Sequence, residues 1–416
     1  MISQMCRSVP IKLTGLINAI GLGAQRYPFG SKSSARRSTL SCCQTIATMS
    51  IICLLRIGVW AQAQEIVTFD APGADTTSGD FSGTYPSGVN AWGFVTGYYQ
   101  GSDTVSHGFI RSLKGDYITF EAPGADTTPG SYNGTNPTAI NDLGMIAGYY
   151  YDASGFSHGF LRSPEGKVKT FDVPGAAGYG TFPRAMNVQG AVVGTYTDAN
   201  YSFRAFLRSP EGKFTTWIGA DACTGNGSEG CYGSGASNIN FFGIIAGGFE
   251  DNTGNFVHHN FLRNANGKLK VFDIPGAGNG NSQGSGCPGC NLGLNQFGAV
   301  AGIFSDANSV NHGFLRSPDG RITVFDAPGA GTDIYQGTGC YADCPVSIND
   351  WGAIAGMYID SNYVVHGYVR SPKGHFAPFD PPDSIYTWAS GINNQGIVVG
   401  YFVDSNDVFH GFIRKP

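Results

Sequence analysis

Short runs of alternating apolar and polar residues, separated by turn residues, fill the chain after residue 64 and predict β-strands. In residues 137–174 (PTAINDLGMIAGYYYDASGFSHGFLRSPEGKVKTFDVP) four such runs lie at 137–141, 145–152, 157–162 and 167–172. Asn141-Asp-Leu-Gly144 has the sequence of a type I turn, and Ser163-Pro-Glu-Gly-Lys167 that of a hairpin loop. Four strands in fewer than forty residues predict one antiparallel sheet, too small to be stable alone.

The same pattern occurs seven times, at a spacing of about 50 residues. Its third run reads HGFLR or a close variant and begins at His107, His158, Arg204, His259, His312, His366 and His410. An N-x-x-G turn begins at Asn90, Asn141, Asn187, Asn240, Asn295, Asn349 and Asn393. Repeats of this length predict an all-β fold, a seven-bladed β-propeller of four-stranded antiparallel blades.

The last repeat is one strand short, because the chain stops just after its third run. The sequence Ile66-Val-Thr-Phe-Asp70 is of the fourth-strand type. We therefore expect the N-terminal strand, residues 65–70, to complete blade seven and close the ring, which leaves no open sheet edge. Residues 64–416 are interpreted as a single propeller domain, and we expect a monomer.

Residues 1–63 are interpreted as an export signal. Arg36-Arg37 supply positive charge, residues 46–60 are mostly apolar, and Ala61-Gln-Ala63 fits a cleavage site. Residues 1–35 exceed the length that a signal needs, and we interpret them as a start assigned too early. Arg56 interrupts the apolar run, so no membrane span is expected after signal removal. The expected location is secreted or extracellular, with the periplasm or cell surface as alternatives.

The charge of the chain is distributed unevenly. All 30 acidic residues follow residue 64, whereas 7 of the 25 basic residues precede it, which leaves residues 65–416 with a net charge of about −12. Such a surface repels phosphate backbones, so nucleic acid is excluded as a partner.

The runs I-N-D-x-G-x-I-A-G-Y and H-G-F-L-R resemble the HAF-type extracellular repeat family of bacterial exported proteins. The resemblance covers all seven repeats, essentially residues 65–416. It implies export and a repeat architecture, and it brings no established activity.

The third-run histidines are predicted to form structural pairs. Counting across the hairpin loop places them opposite fourth-run acids, as His107–Glu121, His158–Asp172, His259–Asp273, His312–Asp326, His366–Asp380 and His410–Asp70. The third repeat has Arg204 and Ile218 instead, so both partners are lost together. Metal binding is the alternative, but one His per blade places the imidazoles too far apart to share an ion. No metal and no cofactor is expected.

Asp152 and Asp251 begin short hairpins that superficially resemble calcium loops. They lack the further spaced Asp or Asn and the final Glu of such loops. Asx turns are therefore the favoured interpretation.

Six cysteines follow the export segment, as two per loop in three successive loops: Cys223, Cys231, Cys287, Cys290, Cys340 and Cys344. An even number in an exported chain indicates disulfides, and pairing within each loop (223–231, 287–290 and 340–344) is the simplest of the fifteen possible connectivities. A redox role for Cys287-Pro-Gly-Cys290 and a zinc site formed by two pairs are the alternatives.

The preferred functional hypothesis is a non-enzymatic propeller that binds a glycan or an extracellular or cell-surface protein through its long inter-blade loops. Its candidate binding residues are Tyr85, Tyr132, Tyr179, Tyr232, Tyr341, Tyr386 and Trp388. The alternative is an extracellular hydrolase or lyase that acts on polysaccharide with loop carboxylates, namely Asp75, Asp80, Asp126, Asp221 and Asp333. The chain shows no H-E-x-x-H motif, no phosphate loop and no carboxylate pair outside the repeating framework.

Overall fold

The structure is a computed structural model that describes residues 65–77, 82–219, 221–224, 233–280, 283–286, 292–340 and 345–416. These residues form strands and turns without helices, so the fold class is all-β. Accordingly, no helix long and apolar enough to cross a membrane occurs in these ranges. The expected export segment, residues 1–63, lies outside them.

The strands are short, mostly four to seven residues. The first is β1 (Ile66–Phe69), followed by β2 (Gly83–Val89), β3 (Val95–Gln100), β4 (Ser106–Arg111) and β5 (Tyr117–Phe120). Next come β6 (Gly134–Ile140), β7 (Ile146–Tyr151), β8 (Ser157–Arg162) and β9 (Val168–Phe171), then β10 (Thr181–Met186), β11 (Val192–Thr197), β12 (Phe203–Arg208) and β13 (Phe214–Trp217). The middle of the chain has β14 (Ser234–Ile239), β15 (Ile245–Glu250), β16 (His258–Arg263), β17 (Leu269–Phe272), β18 (Gly293–Leu294), β19 (Val300–Ser305), β20 (Asn311–Arg316) and β21 (Ile322–Phe325). The last are β22 (Gly337–Thr338), β23 (Ser347–Ile348), β24 (Ile354–Ile359), β25 (Val365–Arg370), β26 (Phe376–Phe379), β27 (Ser384–Ile392), β28 (Val398–Asp404) and β29 (Phe409–Arg414).

Consecutive strands pair antiparallel in seven groups, here called units one to seven. Units one to five are β2–β5, β6–β9, β10–β13, β14–β17 and β18–β21. Unit six is β22–β26, in which β22 and β23 both pair with β24. Unit seven is β27–β29 together with β1, which pairs antiparallel with β29 so that Ile66 lies opposite Arg414. The first strand of each unit is called inner and the last outer. In unit six β22 and β23 together take the inner position, and in unit seven β1 is the outer strand.

The inner strands begin earlier than the sequence pattern predicts. In unit two the predicted start is residue 137, but β6 begins at Gly134, which pairs in parallel with Ser106 of unit one. Gly134 has φ +112°, and a Cβ there would lie 2.2 Å from the Ser106 carbonyl oxygen. Only glycine allows this approach. Gly83 makes the equivalent contact with Phe409, and so joins unit one to unit seven.

The aromatic residue of the HGF motif forms the core of each unit. The seven side chains are 0–1% exposed: Phe109, Phe160, Phe206, Phe261, Phe314, Tyr368 and Phe412. They pack in clusters that draw on two neighbouring units, as where Leu161 of unit two meets Val192 and Phe206 of unit three. Each unit therefore needs its neighbours to bury its faces.

The N-x-x-G asparagines link successive units. Each side-chain Nδ2 donates to the backbone carbonyl of the equivalent residue in the next unit, at 3.0–3.3 Å, in the order Asn90, Asn141, Asn187, Asn240, Asn295, Asn349, Asn393 and back to Asn90. The Oδ1 atom meanwhile accepts from backbone N–H groups of its own turn, as Asn90 does from Trp92 and Phe94. The seven bonds thus run through every unit, and the last connects unit seven to unit one.

Seven arginines make a second set of inter-unit contacts. The guanidinium of each third-strand Arg lies 4.6–5.1 Å from the centre of an aromatic ring on the preceding unit's outer strand, in the pairs Arg111–Phe69, Arg162–Phe120, Arg208–Phe171, Arg263–Trp217, Arg316–Phe272, Arg370–Phe325 and Arg414–Phe379. Because Phe69 belongs to β1, the first pair again joins unit seven to unit one.

Candidate functional site

A cavity of about 540 Å³ is lined by the inner strands of all seven units. The residue three positions before each turn asparagine lies on its wall: Ser87, Thr138, Arg184, Ser237, Leu292, Val346 and Ser390. Inner strands begin at the long inter-unit connections and end at the N-x-x-G turns, so the cavity runs between these two sides. Its volume is typical of a small-molecule site.

Arg184 is the one basic residue on the described wall of this cavity. It makes no hydrogen bond or salt bridge with the described residues, and its Nε is buried without a partner among them. Asp142 lines the end of the cavity near the turns, where its carboxylate accepts a hydrogen bond from the backbone N–H of Ala91. The middle of the wall is therefore positively charged at one point.

Aromatic rings gather where unit seven meets unit one. Tyr85 stacks on Tyr98 with ring centres 4.7 Å apart. The ring centre of Tyr85 also lies 4.8 Å from that of Phe409 and 5.4 Å from that of Tyr401. Trp388 stacks on Tyr401 at 5.2 Å. We call these five residues the aromatic cluster. Tyr85, Tyr98 and Tyr401 also line the cavity, so the cluster forms part of its wall.

The tyrosines of this wall keep their hydroxyl protons at physiological pH. Burial raises the pKa of Tyr401 to about 12. Burial and the neighbouring Tyr401 together also raise the pKa of Tyr85. Burial also raises the pKa of Tyr98. Protonated hydroxyls can donate hydrogen bonds to a ligand, and the rings beside them offer stacking surfaces.

The predicted loop aromatics do not form one surface. Tyr132, Tyr179 and Tyr386 are 60%, 54% and 37% exposed. The placement of Tyr85, Tyr386 and Trp388 in loops is wrong, because the upstream extension of the inner strands puts Tyr85 in β2 and the other two in β27. Tyr85 and Trp388 are half-buried there. Tyr386 lies 5.9 Å from Trp388, whereas Tyr179 contacts only rings of its own unit among the described aromatic pairs. Tyr232 and Tyr341 lie outside the described residues.

Each predicted histidine pair is in contact. The distances from His Nδ1 to the carboxylate are 2.5 Å for His107–Glu121, 2.9 Å for His158–Asp172, 2.8 Å for His259–Asp273, 2.8 Å for His312–Asp326, 2.7 Å for His366–Asp380 and 2.8 Å for His410–Asp70. The hydrogen bond to the acid raises the pKa of His107, His259, His312 and His410, although burial opposes the shift. Every imidazole also stacks on a second-strand aromatic ring, as His312 does on Phe304 at 5.1 Å.

A second acid faces each imidazole, and sequence reasoning missed it. In unit two the Oδ1 of Asp152 accepts from the backbone N–H groups of Ser154 and Phe156, as expected of an Asx turn. Its Oδ2 lies 3.2 Å from His158 Nε2. In unit three, Arg204 Nε donates to Asp198 Oδ2 at 2.6 Å, so arginine replaces histidine against the same acid. The recurrence of Asp a few residues before His was the available signal.

The candidate catalytic carboxylates have local roles. Asp75 Oδ1 accepts from the backbone N–H and the hydroxyl of Thr77. Hydrogen bonds from Thr128 and Asn133 lower the pKa of Asp126 to about 2, the opposite of the raised pKa that a general acid needs. Asp221 and Asp333 lie in separate loops, and Asp80 lies outside the described residues. Within the described ranges, no three His, Cys, Asp or Glu side chains are grouped so that they could hold a metal ion.

Of the six loop cysteines, the structure describes Cys223 and Cys340, and both are disulfide-bonded. Cys231, Cys287, Cys290 and Cys344 lie outside the described residues. The three local pairings therefore stay predictions.

The side of the N-x-x-G turns carries exposed apolar side chains that sequence reasoning overlooked. The third turn position is 61–71% exposed in five units, at Trp92, Leu143, Phe242, Phe297 and Trp351. The other two units have Gln189 and Gln395 at this position. The signal was present in the motif, because N-x-x-G is mostly N-x-Φ-G, where Φ is apolar.

No family model and no curated protein matches the chain. Solved structures similar to it include the β-propeller domain of the Trilobed protease from Pyrococcus furiosus, at 11% identity over 80% of this chain and 95% of that chain, with a TM-score of 0.48. The BP39L lectin from Burkholderia pseudomallei is similar at 10% identity over 82% and 94%, with a TM-score of 0.44. TolB from Acinetobacter baumannii is similar at 10% identity over 78% and 64%, with a TM-score of 0.43. With TM-scores below 0.5, none of these likenesses decides what this chain does.

Proposed function

We propose that residues 65–416 form a closed seven-bladed β-propeller in which the seven units are the blades and β1 completes the last one. Three contacts between the ends support closure: β1 paired with β29, Asn393 donating to Asn90, and Arg111 over Phe69. The cavity lined by all seven inner strands is then the central channel of the ring.

We further propose that the protein is a non-enzymatic, exported glycan-binding propeller, with its binding site where the channel opens towards the long connections. The observation that carries this proposal is the aromatic cluster on the cavity wall. Sugar rings present C–H faces that stack on Tyr and Trp, and their hydroxyls exchange hydrogen bonds with phenol and serine hydroxyls. A protein partner would need a larger contiguous surface than this concave wall offers.

The location of the aromatic cluster explains why only some of the candidate aromatic residues would contact the glycan. Tyr386 is exposed and lies beside Trp388, so it extends the cluster towards solvent. Tyr132 is more exposed than Tyr386 but has no ring contact among the described aromatic pairs. The proposal therefore assigns binding to Tyr386 and Trp388 and leaves Tyr132 outside the site.

The test is a glycan array followed by calorimetry on the best ligand, with Tyr386→Ala and Trp388→Ala compared with the matched control Tyr132→Ala. Loss of one stacking ring is worth about 1 kcal/mol, or roughly fivefold in affinity. We expect such losses for the first two variants and wild-type affinity for the control. Thermal melts of all variants separate loss of binding from loss of folding.

Equal losses in all three variants, or none in any, would contradict the assignment of the site. Release of shortened glycan during the array incubation would show a hydrolase or lyase instead. Absence of any glycan ligand would refute the glycan-binding proposal itself.

A further inference from the structure

One unit differs from the others on the wall of the cavity. At the position where unit three has Arg184, units one, four and seven have Ser87, Ser237 and Ser390. The remaining units have Thr138, Leu292 and Val346, none of them charged. The repeating framework does not require a cation at this position, because six units are built without one.

The guanidinium of Arg184 is not neutralised by the protein. No described acid forms a salt bridge with it, and its Nε is buried without a hydrogen-bond partner in the described part of the chain. Arginine stays protonated under all ordinary conditions, and a partly buried, unpaired charge is unfavourable. An anion entering the cavity would relieve this cost, so the arrangement favours an anionic ligand group.

Aromatic rings share the cavity with this cation. Tyr85, Tyr98 and Tyr401 line the same wall as Arg184. Burial and the neighbouring Tyr149 raise the pKa of Tyr151 to about 12, and the charge of Arg184 opposes this shift, so Arg184 also acts on a ring of unit two. A ligand in the cavity can therefore meet a positive charge and aromatic rings together.

We propose that Arg184 binds the carboxylate of an acidic sugar, a uronic acid residue of a glycan, inside the central cavity. This rests on the proposed glycan-binding function and names the class of ligand. The planar guanidinium can donate two parallel hydrogen bonds to a carboxylate, while the sugar chain stacks on the tyrosines of the cavity wall.

Charge balance favours a single carboxylate over a phosphate dianion or a densely sulfated chain. The described cavity wall has one basic residue, which matches one carboxylate. A dianion would need a second cation, and Asp142 at the turn end would repel it. The net charge of about −12 on residues 65–416 also disfavours densely charged polyanions.

The experiment compares the wild type and Arg184→Ser by calorimetry. The probes are a glucuronic-acid-containing and a galacturonic-acid-containing trisaccharide, the neutral trisaccharide in which glucose or galactose replaces the uronate, and inorganic sulfate. Serine occupies the equivalent position in three other units, so this variant should fold. Arg321→Ser, which removes an exposed arginine outside the cavity wall, is the matched control.

We expect the wild type to bind one of the uronate probes at least tenfold more tightly than its neutral counterpart. Arg184→Ser should abolish this preference without weakening binding of the neutral probe, and Arg321→Ser should retain it. Higher salt should reduce the preference, because it depends on charge. Arg184→Lys should restore only part of it, since an ammonium cannot make the paired hydrogen bonds.

The proposal is overturned if wild type binds the uronate and neutral probes equally, or if Arg184→Ser keeps the preference. It is also overturned if sulfate binds as tightly as the uronate probe, since the site would then select charge alone. Equal binding of neutral and acidic glycans leaves the glycan-binding function standing and refutes only the role of Arg184. Binding of no glycan at all refutes both.

Discussion

The pair of His312 and Asp326 should contribute a measurable, pH-dependent coupling to the stability of unit five. Its geometry combines a hydrogen bond of 2.8 Å with stacking of the imidazole on Phe304 at 5.1 Å. The change to make is a double-mutant cycle with His312→Ala, Asp326→Ala and both together. The coupling free energy isolates the contact between the two side chains from the stacking.

The expected magnitude follows from exposure. A hydrogen bond to a charged group contributes about 1.5–3 kcal/mol when buried. The Asp326 side chain is 55% exposed and the His312 side chain 22%, so solvent screening lowers the coupling to about 1 kcal/mol. Stacking on Phe304 adds about 0.5–1 kcal/mol, which only His312→Ala removes. We therefore expect losses of about 2 kcal/mol for His312→Ala, about 1 kcal/mol for Asp326→Ala and about 2 kcal/mol for the double variant.

The coupling should depend on pH with a definite sign. The hydrogen bond from His312 to Asp326 raises the pKa of His312, although burial opposes it. A folded-state pKa above the unfolded value of about 6.5 means that the contribution is fully present below pH 6.5 or so. It is lost as the pH rises through the folded value. The coupling measured by denaturant titration should therefore be larger at pH 6 than at pH 9.

Unit three provides the matched control. Arg204 and Ile218 occupy the equivalent positions, and Arg204 pairs with Asp198 instead. A cycle on Arg204 and Ile218 should give coupling near zero at both pH values. Strictly additive losses for His312 and Asp326, or coupling that increases from pH 6 to pH 9, would refute the reasoning.

Three further predictions concern the contacts between units and the loops. Asn187→Ala should cost about 2–3 kcal/mol in the free energy of unfolding, because it removes the inter-unit donor and the buried turn acceptor together. Asn187→Asp keeps the turn acceptor but sets a carboxylate oxygen against the Asn240 carbonyl, so it should cost at least as much; denaturant titration measures both, and an Asp variant as stable as the wild type would contradict the inter-unit role. Arg316→Ala should cost about 1 kcal/mol or more through the lost contact with Phe272, and Arg316→Lys should recover part of it; a Lys variant as unstable as the Ala variant would argue against a cation–π contribution. Peptide mapping without reductant should recover the bonds 223–231, 287–290 and 340–344, and a peptide that joins two different loops would show the pairing to be wrong.

The repeating parts of the fold could be predicted from sequence because strand period and turn chemistry are local. The N-x-x-G turns, the order of the strands and the opposition of His158 and Asp172 all follow from counting along one repeat. The inter-unit role of Asn141 could not be predicted this way, since its Nδ2 bonds to a residue 46 positions away. The Oδ1 atom of a turn asparagine accepts hydrogen bonds within its own turn, and nothing in one repeat shows that its Nδ2 donates to the next unit.

The candidate site could be predicted less well for a related reason. Tyr85 and Tyr98 face each other within unit one, but Tyr401 joins them only when unit seven meets unit one, more than 300 residues away along the chain. Arg184 occupies a position that is serine, threonine or aliphatic elsewhere, so the repeat pattern concealed it as ordinary variation. The proposed binding residues are departures from the repeat, and their surroundings depend on which units are adjacent.

The central claim is that β1 closes the ring, because the cavity and its aromatic cluster exist only if unit seven meets unit one. Besides pairing with β29, this segment places Phe69 under Arg111 and Asp70 against His410. The direct measurement compares residues 65–416 with residues 71–416, both produced in an oxidising compartment, by thermal unfolding and light scattering. The account predicts that the shorter protein unfolds at a clearly lower temperature and associates through the exposed edge of β29. A protein of residues 71–416 that melts like the longer one and stays monomeric would contradict closure.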